Sequence, residues 1–200
     1  QAPVAKIITS TGVNDNVDDG DKTYLIITSN SVSTDPNYSN KDVADVSVIN
    51  TDDDTAGFTV TAISGNTTEA GGTATFTINL NSAPTADVTI AISSNNTAEG
   101  TVSPANITFS ANQAPTAKTI TVTGVDENVD DGDKVYAIIT ANSVSTDANY
   151  SNKDVADVQV TNVDNDTAAI SVNPTSGLNT TEAGATATFT INLATTPTAD

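Results

Sequence analysis

The chain has 200 residues, of which 36% are hydrophobic and only 4% aromatic, so any core must be built mostly from Val, Ile and Ala. It contains no Cys, Met, Trp or His, which excludes disulfide staples, thiol nucleophiles, imidazole bases and the usual zinc and copper ligands. Six Lys and Arg against 25 Asp and Glu give a formal charge of −19, so nucleic acid and anionic membranes are excluded as partners and cations are favoured. No run of about 20 apolar residues and no basic-then-apolar leader is present, so no membrane insertion is expected and the chain reads as an internal piece of something longer.

Taken in order, the first feature is a repeat. "TGVNDNVDDGDK" from Thr11 returns as "TGVDENVDDGDK" from Thr123, a shift of 112 residues. The same shift carries "NSVSTDPNYSNKDVADVSV" from Asn30 onto "NSVSTDANYSNKDVADVQV" from Asn142, and Asp52-Asp53-Asp54 onto Asp164-Asn165-Asp166. With one inserted residue, "NTTEAGGTATFTINL" from Asn66 recurs as "NTTEAGATATFTINL" from Asn179. The expected organisation is the rear half of one unit in residues 1–55, a complete unit in 56–167 and the front half of a third in 168–200.

Within the complete unit, period-2 alternation marks strands with inward residues Phe58, Val60 and Ala62; Ala74, Phe76, Ile78 and Leu80; and Val88, Ile90 and Ile92. Four more follow: one with Ile107 and Phe109, one with Ile120 and Val122, one with Tyr136 and Ile138, and one with Val158 and Val160. Gly, Pro, Asn and Asp separate them, and no segment has helical periodicity. The expected fold is all-β: tandem antiparallel immunoglobulin-like sandwiches of about seven strands per repeat, with Phe76, Ile78, Ile90, Val122, Ile138 and Val158 in the core.

The carboxylates concentrate in strand connections: Glu69, Glu99, the run Asp126 to Asp133, and Asp164-Asn165-Asp166. Alternate connections of a sandwich share an end, so these loops are expected to converge on one pole. Like charges at about 4 Å cost about 1 kcal/mol in water and about 4 kcal/mol at an effective dielectric of 20, and a hard divalent cation relieves that. Asp, Glu, Asn and backbone oxygens without nitrogen or sulfur suit calcium better than zinc or iron. The alternative is that acidic loops only keep the chain soluble. An EF-hand does not fit "DENVDDGDK": counted from Asp126 the glycine is the seventh residue rather than the sixth, and the twelfth is Ala137 rather than Glu.

The segments "TEAGGTATFTINL", "GTVSPANITFSANQAPTAKTITVTGVDENVDDGDKVYAIIT" and "VADVQVTNVDND" together resemble the Calx-β and related bacterial Ig-like repeats, and the likeness covers the whole chain in circularly cut form. The resemblance implies calcium at one end of each module, beside the linker. By motif it assigns Glu69 as the strand-opening ligand, Asp126, Glu127 and Asp131 as ligands from the acidic loop, and Asp164 and Asp166 from the closing triplet. Asn165 stands at the centre of that triplet where the family has Asp, and Glu99 is the remaining candidate in the middle loop. The first unit would use Asp15, Asp19, Asp52, Asp53 and Asp54, and the third would open with Glu182. Removing calcium is then expected to loosen the junctions at Asp52 to Ala56 and Asp164 to Ala168.

Other motifs carry less. Sequons such as Asn37-Tyr38-Ser39 and Asn149-Tyr150-Ser151 are expected by chance in a chain this rich in Asn, Ser and Thr, and the threonine rows read as ordinary solvent faces of strands. Tyr38 and Tyr150 are either contact residues or rings folded onto the sandwich, the second being favoured. No Gly-x-Ser-x-Gly or Ser-x-x-Lys pattern occurs, and no enzyme is expected. The expected function is structural: a calcium-stiffened repeat of a secreted or cell-surface adhesin, surface-layer protein or extracellular filament, partnered by neighbouring repeats of the same or an identical chain. The alternative is a module that contacts a glycan or host surface through its loops, for which the four Phe and four Tyr supply little aromatic surface.

Overall fold

The computed structural model describes residues 3–199, and these form thirteen strands and no helix. Among the described residues no helix is long and apolar enough to cross a membrane. In the first segment, β1 (Lys22–Ile26) and β2 (Val46–Asn50) make an antiparallel pair. In the last, β12 (Ile170–Asn173) and β13 (Thr190–Leu193) do the same.

The central segment holds β3 (Phe58–Val60), β4 (Thr67–Thr68), β5 (Thr73–Leu80), β6 (Val88–Ser94), β7 (Gly100–Ser103), β8 (Asn106–Phe109), β9 (Lys118–Gly124), β10 (Lys134–Thr140) and β11 (Val158–Val163). They form two sheets, β4-β11-β10-β6-β8 and β3-β5-β9-β7. Every pairing is antiparallel except β11 with β4. The sequence dictates which face each strand buries. In β5 the threonines at 73, 75 and 77 face outward or to the margin while Ala74, Phe76, Ile78 and Leu80 are buried. Ile120 and Val122 of β9 and Val88, Ile90 and Ile92 of β6 alternate in the same way.

The inward faces of the two sheets share one core, which includes all six expected residues: Phe76, Ile78, Ile90, Val122, Ile138 and Val158. Fully burying a Val, Ile or Phe side chain contributes roughly 1.5–3 kcal/mol, against about 1–2 kcal/mol of backbone entropy for each ordered residue. A core this short of large aromatic rings leaves a narrow margin, and the polar ends of the segment then matter to stability.

Two details differ from the alternation pattern. The central segment has nine strands rather than about seven, because β4 and β7 are too short and too polar to show a period; neighbours in the sheet create them, β11 for β4 and β9 for β7. Ala62, expected inward, is exposed, and Ile63 packs against the core instead. The cause is a bulge. Thr61 donates to Thr77 O and Ser64 to Thr75 O, so one strand advances three residues while its partner advances two, and the phase shifts by one.

Tyr150 is 1% exposed, stacks edge-on against Phe58 at 5.7 Å, and donates its hydroxyl to Ser82 O at 2.7 Å. It closes the end of the core opposite the acidic run, as the folded-back reading of this ring expects.

Candidate metal centre

The acidic pole is assembled by strand pairing. β11 runs parallel to β4 with Asn162 opposite Thr67 and Val163 opposite Thr68, which brings the residue after β4, Glu69, alongside the exit of β11. Glu69 N donates to Val163 O at 3.2 Å, and Asn165 N donates to Glu69 Oε2 at 2.9 Å. Beneath them lies a buried polar floor in which Thr67 Oγ1 meets the Tyr136 hydroxyl and Asn162 Oδ1, both at 3.1 Å. Asn162 in turn donates to Val125 O at 3.1 Å, which anchors the start of the acidic loop. Gly124 has to be glycine here, since a Cβ would collide with the Thr68 carbonyl and the Asn162 amide.

Asp164 organises the loop. Its Oδ2 accepts from Gly132 N at 2.6 Å and Asp131 N at 3.1 Å, and its Oδ1 accepts from Asp166 N at 2.7 Å. Gly132 sits at φ +76°, a left-handed conformation that side chains disfavour, and this aims its amide at Asp164. The outcome is that one carboxylate oxygen each from Glu69, Asp164 and Asp166 lies within 4.8 Å of the others. Oxygens bound to one calcium at about 2.4 Å stand no more than about 4.8 Å apart, so the spacing suits a single ion.

The electrostatics of the cluster are uneven. Amides from Asp166 and Gly132, and then Asp131, hold the Asp164 carboxyl below its ordinary range. Burial pushes Glu69 up, with further pressure from Asp164, Glu127 and Asp166. Asp166 is raised by desolvation and then by Asp164, Asp126 and Asp130; Glu127 is raised by desolvation and then by Asp131, Glu99 and others. Asp166 Oδ2 and Glu127 Oε1 are buried without any hydrogen-bond donor. Buried acceptors normally find partners, and two unpartnered carboxylate oxygens at an all-oxygen cluster fit a hard cation. Glu69, Asp164 and Asp166 would hold it, with Glu127 at the margin; the ion would supply the charge these oxygens lack.

The remaining expected residues are distributed as follows. Asp126 accepts from Asn165 Nδ2 at 3.4 Å, so the Asn165 side chain faces the loop while its backbone serves Glu69. Asp131 directs its carboxylate to Lys134 Nζ at 3.1 Å and its amide to Asp164. Glu99 is buried at the floor, 3.5 Å from Asn162 Nδ2, and stands outside the three-carboxylate cluster.

In the first segment, Asp52 repeats the part of Asp164, accepting from Asp19 N at 2.9 Å, Gly20 N at 2.6 Å and Asp54 N at 2.9 Å. Asp15, Asp19, Asp52, Asp53 and Asp54 line a cavity of about 30 Å³. Desolvation, then Asp52, Asp53, Asp15 and Asp18, raise Asp54. Glu182 lies exposed in a turn of the last segment and belongs to no cluster among the described residues.

Sequence reasoning gave no role to Asp133 and Asp21, which accept from the amides of Asp164 and Asp52, or to Asp130 and Asp18, which accept from the linker amides of Ala168 and Ala56. The signal was the unbroken match of "NVDDGDK" in both copies, which preserves these carboxylates along with the proposed ligands.

The molecule is thus an all-β chain with a carboxylate cluster at one pole of its central two-sheet segment. No protein-family model matches it, and no curated protein does. Among solved structures it is similar to a chain of a type I cohesin–dockerin complex from Clostridium thermocellum, at 11% identity and a TM-score of 0.38, over 56% of this chain and 99% of that one.

Proposed function

We propose that the chain is a calcium-stiffened structural repeat of a secreted or cell-surface protein, of the kind found in adhesins, surface layers or extracellular filaments. In this reading it is built from tandem Ig-like sandwiches of the Calx-β type, and its partners are neighbouring repeats. The observation that carries the reading is the convergence of Glu69, Asp164 and Asp166 oxygens within 4.8 Å, beside an Asp166 oxygen with no donor. The near-identity of the two acidic loops supports a structural role, since modules selected to bind different ligands diverge in their loops.

The test is thermal melting of the chain against calcium, with magnesium as control and chelator as baseline. Extracellular calcium modules bind at about 10⁻⁴–10⁻³ M, so millimolar calcium is expected to contribute on the order of 1 kcal/mol per ion. The double variant Glu69→Gln with Asp166→Asn is expected to lose that response. A melting temperature indifferent to calcium would return the acidic loops to the role of solubility alone.

A further inference from the structure

The loops that carry the acidic runs also touch the segment that follows. Ahead of β1, Asp18 Oδ2 accepts from the linker amide Ala56 N at 2.8 Å, and Asn16 O accepts from Ala83 N at 2.6 Å. Ahead of β10, Asp130 Oδ2 accepts from Ala168 N at 2.7 Å, and Asn128 O accepts from Thr196 N at 2.7 Å. These are the same two bonds at two junctions. They survive the change from Ala83 to Thr196 because both partners there are backbone atoms. At the first junction the central segment adds one more bond, Asn149 Nδ2 donating to Asp18 O at 2.6 Å, and holds Ala56 from its own side, Lys153 Nζ donating to Ala56 O at 2.7 Å. Asp18 therefore grips the linker with its carboxylate and the loop of the next module with its carbonyl.

We infer that the acidic loop is a module-to-module clamp whose partner is the next copy of the repeat, and that Asp18 and Asp130 are the residues that set the direction in which that copy leaves. The inference goes beyond the calcium reading, because the clamp is made of direct hydrogen bonds. The division of labour runs along the loop itself: the amides of Asp131 and Gly132 go to Asp164 at the candidate metal pole, while Asn128 O and Asp130 Oδ2 face the next module. Three bonds from one loop, to Ala56, Ala83 and Asn149, constrain the direction of the next module more than a single flexible tether does, since each fixes chain that would otherwise rotate freely. An ion held by one module stiffens the loop from which the clamp hangs; the clamp makes the contact across the junction.

The chain lacks cysteine, so Thr23→Cys and Gln159→Cys, both exposed and on opposite sides of the first junction, give two unique spin-label sites. Pulsed electron paramagnetic resonance then reads the distribution of distances between the modules. Asp18→Ala removes the acceptor for Ala56 N, whereas Asp18→Asn keeps an oxygen in the same place and removes only the charge. The clamp expects a narrow distribution in the labelled parent and in Asp18→Asn, and a broad one in Asp18→Ala, in calcium and in chelator alike. An Asp18→Ala distribution as narrow as the parent's in calcium overturns it, as does a broadened Asp18→Asn, which would make the charge the agent. Melting of the same samples with and without calcium separates the two readings: loss of the calcium response removes the metal and leaves the clamp to be judged on the distances alone.

Discussion

Residues 30–48 and 142–160 differ only at Pro36/Ala148 and Ser47/Gln159, and the two stretches fold alike locally. Ser31 Oγ donates to Tyr38 O at 2.5 Å, and Ser143 Oγ to Tyr150 O at 2.6 Å. Thr28 N reaches Asp45 Oδ1 at 2.7 Å, and Thr140 N reaches Asp157 Oδ1 at 2.8 Å. Lys22 opposes Asn50 in β1–β2 just as Lys134 opposes Asn162 in β10–β11. Burial, however, is unlike: Tyr38 is 67% exposed and Tyr150 1%, and Val46 is 54% exposed and Val158 7%. Turn and hairpin geometry come from donors and acceptors a few residues away. Burial comes from a facing sheet, which β3, β5, β9 and β7 supply to the central segment only. The same side chain is therefore worth kilocalories in one place and almost nothing in the other.

Substituting matched tyrosines is the strongest way to break that comparison. Tyr150→Ala is expected to cost about 3–5 kcal/mol in denaturant unfolding, through the cavity beside Phe58 and the groups of Ser82 left unpaired. Tyr38→Ala is expected to stay within about 0.5 kcal/mol, as a surface change does. Equal losses at both positions would mean that residues 3–55 possess a packed core of their own.

The matched glycines sharpen the comparison from the other side, because their role is local. Gly132 and Gly20 sit at φ +76° and +73°, and each gives its amide to the aspartate that organises its pole. Gly132→Ala is expected to lower the stability of the central segment by about 1–2 kcal/mol, the cost of a left-handed backbone for an L-residue. Gly20→Ala is expected to leave the main unfolding midpoint in place and to speed amide exchange only around Asp52. A shift of the main midpoint by Gly20→Ala would show that the first segment unfolds together with the centre.

How much was legible in the sequence follows the same division. Strands with four alternating apolar residues, such as Ala74 to Leu80, declare their inward face because each position is read from its own residue type. β4 and β7 do not, since Thr67-Thr68 and Gly100–Ser103 become strands only through β11 and β9. The acidic residues could be assigned to a common pole from chain order, and Glu69, Asp164 and Asp166 do meet there. Their individual duties were not legible. Nothing in the run "NVDDGDK" distinguishes Asp130, which faces a linker amide, from Asp131, which faces Lys134. Such assignments depend on which way each residue of a loop turns, and that is fixed by partners far away in sequence, here Ala168 and Asp164.

The smallest expected effect is on pH dependence, because the carboxylates of the pole are partly screened by water. Glu69, Glu127 and Asp166 have folded pKa values raised first by desolvation, so the folded chain binds their protons more readily than the unfolded one. Without calcium, stability is therefore expected to rise as pH falls from neutral through those raised values. Asp164 and Asp147 behave oppositely. The Asp166 and Gly132 amides lower Asp164; burial raises Asp147, and the amides of Thr85 and Asn149 outweigh it. What these two contribute is present above their unfolded values and is lost as pH falls through the folded ones. The chelated protein is thus expected to pass through a stability maximum within the ordinary carboxylate range. With millimolar calcium the maximum is expected to move toward neutral pH, since protons on Glu69 and Asp166 compete with the ion. Melting temperatures across pH, with and without calcium, check both halves. Coincident profiles in calcium and chelator would show that no cation is linked to these carboxyls, and a chelated protein that only loses stability on acidification would show that Glu69 and Asp166 are ionised at no cost.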